Sequence, residues 1–199
     1  MPVNAAKGID MITTLIVPGL DGSPAPHWQH WWAATDATAA MVELSDPDRP
    51  LPAVWDIELA GMILRHPDCV LVGHSLGAVL IARLLARWPH LRVRAALLVA
   101  PADPAKGSRI ASFAPLPNAQ LGVANTVVAS RNDPWMSFSQ ARDLARCWGA
   151  EVVDLGFAGH INVASGFGPW PMGKELRDDL LLQTQPVSGA GRAPLQLGW

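Results

Sequence analysis

Six short apolar runs, separated by longer stretches of helical period, set the strongest limit on how this chain can fold. The runs lie at 13–17 (TTLIV), 40–44 (AMVEL), 69–72 (CVLV), 95–100 (AALLVA), 126–130 (TVVAS) and 151–155 (EVVDL). They are continuous and rich in Val, Leu and Ile. Strands covered on both faces read this way, as those of parallel sheets do. Helical patterns fill the gaps at 26–35, 53–66, 76–88, 138–148 and 172–183. The first opens on Pro26, a residue favoured at a first helical position. The second and third stop before Pro67 and Pro89. The third is apolar almost all round, which predicts a central buried helix. The alternation predicts an α/β fold: about six parallel strands, helices on both faces, and right-handed crossovers. Residues 106–123 show no period and read as an irregular insertion. Residues 1–183 read as one domain, and 184–199, rich in Gly, Pro and Ala, as a flexible tail.

Composition narrows the function classes. The 199 residues are half apolar, enough for a core without disulfides. Only 16% are charged and the net charge is -2, so no basic field exists to hold a nucleic acid or an anionic membrane. The two cysteines, Cys69 and Cys147, cannot make a disulfide framework or a four-cysteine zinc site. They read as small buried residues of a reducing compartment. The start, MPVNAAKGID, lacks the basic and long apolar segments of a signal peptide. Every apolar run falls short of the roughly 18 to 20 residues that cross a bilayer. The expectation is a cytoplasmic protein with no membrane span.

The segment Gly73-His74-Ser75-Leu76-Gly77 matches G-x-S-x-G. The bare pattern is weak; its place between the third run and the third helical stretch makes it specific. A strand-turn-helix corner of this kind lifts a serine hydroxyl out of the chain as a nucleophile elbow. The two glycines leave room for the turn, and the helix start below directs N–H groups toward developing negative charge. A serine hydroxyl is a poor nucleophile without a base. Of six histidines, His160 stands just after the sixth run, where parallel sheets assemble their sites. His66 and His90 lie beside prolines at helix ends. His74 is inside the elbow and reads as a structural neighbour of the site. His27 and His30 lie in the first helix, within reach of a pocket. The imidazole must be held in one tautomer by an acceptor. Asp133, after the fifth run, is the preferred acid, and Asp103, after the fourth, is its competitor. The order Ser75, Asp133, His160 is that of α/β-hydrolases, not of chymotrypsin or subtilisin. The backbone N–H groups of Leu76 and Leu20 are the expected oxyanion donors.

The chain resembles the small α/β-hydrolases of the YdeN and retinoblastoma-binding-protein-nine type over about residues 13–182. The segments that carry the likeness are LIVPGLDGSPAPHWQHWW, VLVGHSLGAVLIARLL, ASRNDPWMSFSQARDLA and GHINVASGFGPW. The resemblance assigns nucleophile, acid and base to Ser75, Asp133 and His160. It implies a six-stranded sheet of order 2-1-3-4-5-6 with no large cap domain. One departure is visible: Pro18-Gly19 stands where many relatives have His-Gly, a change that backbone donors survive.

The expected activity is a serine hydrolase that cleaves carboxylic esters, thioesters or amides through an acyl-enzyme, with no metal or organic cofactor. Trp28, Trp31, Trp32 and Trp135 fall in loops expected to rim Ser75, with Met136, Phe138, Phe167 and Trp170 nearby. Trp28, Trp135 and His74 are the pocket candidates, and a small apolar or aromatic acyl group is the expected substrate. The same aromatics could instead pack the first helix onto the sheet. A second function remains open: an interaction module on a hydrolase scaffold, with the aromatic surface turned to a protein partner. A cofactor-free haloperoxidase or lyase reaction on the same three residues is a third.

Overall fold

Six parallel strands form one sheet in a computed structural model that describes residues 13–184. The tail read at 184–199 lies beyond the described residues except for Thr184, and so does the N-terminal decapeptide. The elements are β1 (Thr14–Val17), α1 (Trp28–Thr35), β2 (Ala39–Met41), α2 (Pro52–Arg65), β3 (Cys69–His74), α3 (Leu76–Arg87), β4 (Val93–Val99), β5 (Ala124–Ala129), α4 (Phe138–Trp148), β6 (Glu151–Asp154) and α5 (Pro171–Gln183). The strand order is β2-β1-β3-β4-β5-β6, with every neighbouring pair parallel. The order reverses between β1 and β3, so the loops after those strands open a crevice at their carboxyl ends, where open α/β sheets bind ligands.

Side-chain alternation along the strands splits the core in two. Leu15, Val17, Leu71, Leu98 and Val127 face α2, α3 and α4. Ile16, Val70, Val72, Leu97 and Val128 face α1 and α5. Both sides of the central strands are therefore buried, which explains why their sequences are continuously apolar. The α3 helix is sealed along most of its length, from Leu76 to Leu85.

Three local expectations need correction. The first helix starts at Trp28, not at Pro26: His27 is its N-cap, and its ring nitrogen accepts the Gln29 N–H. The second strand is shorter and earlier than 40–44: Ala39–Met41 pairs with Thr14–Ile16 of β1. Val42 N–H still reaches the Ile16 carbonyl before the chain leaves the sheet. The insertion at 106–123 is not a free loop. One 3₁₀ turn, Pro104–Lys106, leads into it; a second, Ala111–Phe113, lies within it, and it buries Ile110, Phe113 and Leu121. Phe113 stands edge-on to Trp55 at 5.6 Å. No helix among the described residues is long and apolar enough to cross a membrane.

Candidate active site

The turn from β3 into α3 places Ser75 at φ 55°, ψ -119°, a strained backbone that non-glycine residues seldom adopt. Its N–H donates to the Val99 carbonyl of β4, so the corner is tied to the neighbouring strand. Gly77 is required by contact: a Cβ there would stand 2.3 Å from the Val17 carbonyl oxygen and 2.5 Å from that of Pro18. The loop after β1 thus lies directly on the elbow. At Gly19 an added Cβ would meet His74 O and Ser75 Cβ at 3.0 Å.

His160 comes from the loop between β6 and α5. Its Nε2 lies 2.9 Å from Ser75 Oγ. Its Nδ1 lies 2.9 Å from each carboxylate oxygen of Asp133. A carboxylate only accepts, so Nδ1 carries the proton and Nε2 offers its lone pair to the serine hydroxyl. Both partners are sealed from solvent, their side chains 7% and 4% exposed. Asp133 also accepts the Trp135 N–H at 2.8 Å, which fixes the carboxylate in plane with its loop. Asp103 is elsewhere: it caps the turn at Pro104–Lys106 through Ala105 N–H and accepts from Gln140 Nε2. A short turn before proline uses an aspartate in this way without further chemistry.

The loop that carries His160 is tied from several sides. His160 N–H donates to Ser165 Oγ, and Gly159 N–H to Asn132 Oδ1 at 2.7 Å. Ala158 N–H donates to Ser130 Oγ. Trp28 Nε1–H reaches the Ile161 carbonyl at 2.9 Å, and His74 Nε2–H the His160 carbonyl at the same distance. Sequence reading passed over Ser130, Asn132 and Ser165. The signal was present: Asn and Ser in the two loops at the carboxyl ends of adjacent strands are the residue types that hold backbone groups.

Three histidines lie in a row here, their rings tilted at 58° and 52° to one another. Ring centroids lie 4.9 Å apart for His27 and His74, and 5.0 Å apart for His74 and His160. Burial, with repulsion from His160 and His27, drives the His74 imidazole well below its usual range. Burial and the nearby His160 lower His27 to about 4. Both are therefore neutral at pH 7, and His160 has no competing cation beside it.

A cleft of about 220 Å³ opens over Ser75. Leu20 and Leu76 line it, and among the described residues neither backbone N–H donates to a protein acceptor. Both are free to meet an oxygen there. Trp135, Ala102 and Ile110 contribute apolar lining; His27, Asn162, Asp21 and Arg109 contribute polar lining. Arg109 pairs with Asp21 at 2.7 Å across the rim. Of the pocket candidates, His74 and Trp135 line this cleft and Trp28 does not. Trp28 is fully buried against Trp32 and Trp170, packing α1 on the sheet. Trp31 lies under the Lys174 ammonium at 4.5 Å, outside the cleft.

A family profile described as serine hydrolase matches residues 14–178. The chain belongs to the serine hydrolase family. No curated protein matches the sequence. Among solved structures, one described as a YdeN-like hydrolase from Pectobacterium atrosepticum is 29% identical, covers 88% of this chain and 94% of its own, and superposes with a TM-score of 0.80. The ydeN gene product of Bacillus subtilis is 23% identical over 85% of this chain and 98% of its own, TM-score 0.73. A Bacillus cereus carboxylesterase is 19% identical over 90% of this chain and 91% of its own, TM-score 0.55. The last two share the fold. The serine hydrolase is therefore of the α/β-hydrolase fold, without a cap domain among its described residues.

Proposed function

We propose that this serine hydrolase cleaves carboxylic esters or thioesters through an acyl-enzyme on Ser75, with His160 as base and Asp133 as its holder. The observation that carries the reading is the unbroken relay of three 2.9 Å contacts beneath an open cleft. Ser75 Oγ attacks the acyl carbon as its proton passes to His160 Nε2. The tetrahedral oxyanion takes hydrogen bonds from the Leu76 and Leu20 N–H groups. Such preorganised donors act strongly because they sit in a water-poor site and need no reorganisation. His160 then returns the proton to the leaving alcohol or thiol, which departs. In the second half water attacks the acyl-enzyme, His160 takes the water's proton, and Ser75 leaves with it restored. Asp133 stays ionised throughout and stabilises the imidazolium. We extend the same reading to one catalytic domain, the unit read in the sequence as residues 1–183.

A fluorophosphonate probe tests this directly. It should label the native protein once, and Ser75→Ala should lose both the label and turnover of a p-nitrophenyl ester. Equal labelling of the two proteins would remove Ser75 from the mechanism. Labelling at Ser75 without turnover of any ester or thioester would favour the interaction module instead.

A further inference from the structure

We propose that His27 is a substrate-binding residue of this cleft, its Nε2–H donating to an acceptor oxygen that a short oxygenated ester carries besides its carbonyl. The inference rests on the hydrolase reading above and goes on to name the class of substrate. His27 is only 7% exposed, lies at the start of α1, and lines the cleft with Ser75, Leu20 and Leu76. Its Nδ1 accepts the Gln29 N–H at 3.1 Å, which leaves the ring proton on Nε2 in the neutral imidazole. Among the described residues Nε2 has no hydrogen-bond partner, yet it is not one of the polar atoms sealed from solvent. The solvent such a buried ring can reach is that of the cleft it lines.

A capping role alone does not explain this residue. An N-cap needs one acceptor atom, which Ser, Thr, Asp or Asn supplies on a short side chain that keeps its polar atoms beside the helix end. The imidazole adds a donor that costs free energy when the cleft is emptied of water around a bound ligand. A ligand oxygen removes that cost. The lowered protonation of His27 and its neutral neighbour His74 keep the group a plain N–H donor at neutral pH rather than a cation. It therefore favours ether, hydroxyl or carbonyl oxygens and has no net charge to recruit an anion. The cleft volume of about 220 Å³ accommodates a small ester. A purely alkyl group of equal size would strand the donor, and a site built around a hydrogen bond rejects the analogue that lacks it.

The test uses isosteric pairs and compares ratios of kcat/KM. For the acyl side the pair is p-nitrophenyl methoxyacetate and p-nitrophenyl butyrate. For the alcohol side it is 2-methoxyethyl acetate and butyl acetate. Each ratio is first divided by the ratio of alkaline hydrolysis rates, which removes intrinsic reactivity. The native protein should prefer the oxygenated member of one pair, and that arm identifies which side of the ester His27 meets. His27→Asn keeps the cap through its side-chain oxygen but is too short to reach the cleft. In it the preference should fall roughly 3- to 10-fold, the scale of one neutral hydrogen bond. His27→Phe, which keeps the ring volume without the donor, should show the same fall and serves if the Asn protein does not fold. Native ratios at unity in both pairs, or unchanged in either folded variant, overturn the assignment of His27. If labelling at Ser75 and turnover persist in that case, the hydrolase reading stands alone. If the native protein takes neither label nor ester, both readings fall together.

Discussion

On one face of the sheet, α2, α3 and α4 cover the strands mostly with Leu, Ile, Val and Ala, joined by Trp55 and Trp148; on the other, α1 and α5 cover them with Trp28, Trp32, Trp170 and a row of histidines. The first face coheres chiefly by area. Its large buried groups include Leu59, Ile63, Leu71 and Leu80, and each contributes about 1.5–3 kcal/mol by leaving water. The second face adds direction. The Trp28 indole holds Ile161, His74 holds the His160 carbonyl, and Gln29 Nε2 reaches the carbonyls of Val17 and Val72. Arg177 joins Thr14 Oγ1 to Asp36 and stacks on Trp32. Apolar contact is non-directional and cannot set a side chain to within a fraction of an ångström; hydrogen bonds can. Ser75 belongs to the helix of the first face and His160 to the loop of the second, so the site is made where the two meet.

That contrast can be broken by experiment. The largest effect belongs to the seam. Asp133→Asn should lower kcat by about 10⁴-fold, near 5.5 kcal/mol of barrier, by leaving His160 in the wrong tautomer. Asp103→Asn should leave kcat unchanged, since Asp103 caps a turn away from His160. Steady-state kinetics on one p-nitrophenyl ester compares them, and equal losses would refute the placement. Next comes the face covered by α2, α3 and α4. Leu59→Ala should cost about 2–5 kcal/mol in urea unfolding, the price of a cavity, while turnover per folded molecule stays the same. A fall in kcat at full folding would mean that this face also aims the site.

The histidine row gives a pH signature. The His27 imidazole titrates at about 4, against 6.5 when unfolded, because burial disfavours its charged form. Between those values the unfolded chain binds more protons than the native one. Stability is therefore fully present above about pH 6.5 and declines as pH falls toward 4. The expected contribution is about 1–3 kcal/mol, read from urea midpoints at pH 7 and 4.5. His27→Asn should flatten the dependence, and an equally steep profile would show that another group causes it. His74 acts in the same direction. The smallest effect tests direction itself. Trp28→Phe removes one hydrogen bond and part of a buried indole, and should cost about 1–3 kcal/mol of stability. Its kcat should nevertheless fall several-fold as the His160 loop loosens, the reverse of the pattern at Leu59. An unchanged kcat would mean that the remaining ties to that loop suffice.

The α/β class and the elbow were legible in the chain because each rests on local rules; the strand order came from the likeness to a known family. Continuous apolar runs report strands buried on both faces, and Gly77 reports a carbonyl 2.3 Å from where a side chain would begin. The three residues of the relay were legible by a different route, from their order and from the likeness of their segments to a known family. Trp28 was misplaced because tryptophan suits a pocket wall and a core equally well, and only packing against Trp32 and Trp170 decides between them. The insertion misled for the same reason: without a period, nothing in 106–123 announces that Phe113 will find Trp55 or that Arg109 will close on Asp21.

What this sequence determines alone is which residues can do chemistry and which segments lift them to one edge of a sheet. Backbone geometry and burial act over a few residues, and those leave periods and motifs. The closing of the relay, the polar character of the cleft and the free nitrogen of His27 were decided by tertiary structure. They depend on groups far apart in the chain, such as His160 and Ser75, brought to 2.9 Å by the packing of two helical layers. Distances of that kind leave no trace in local order, since a hydrogen bond forms only after both faces are in place.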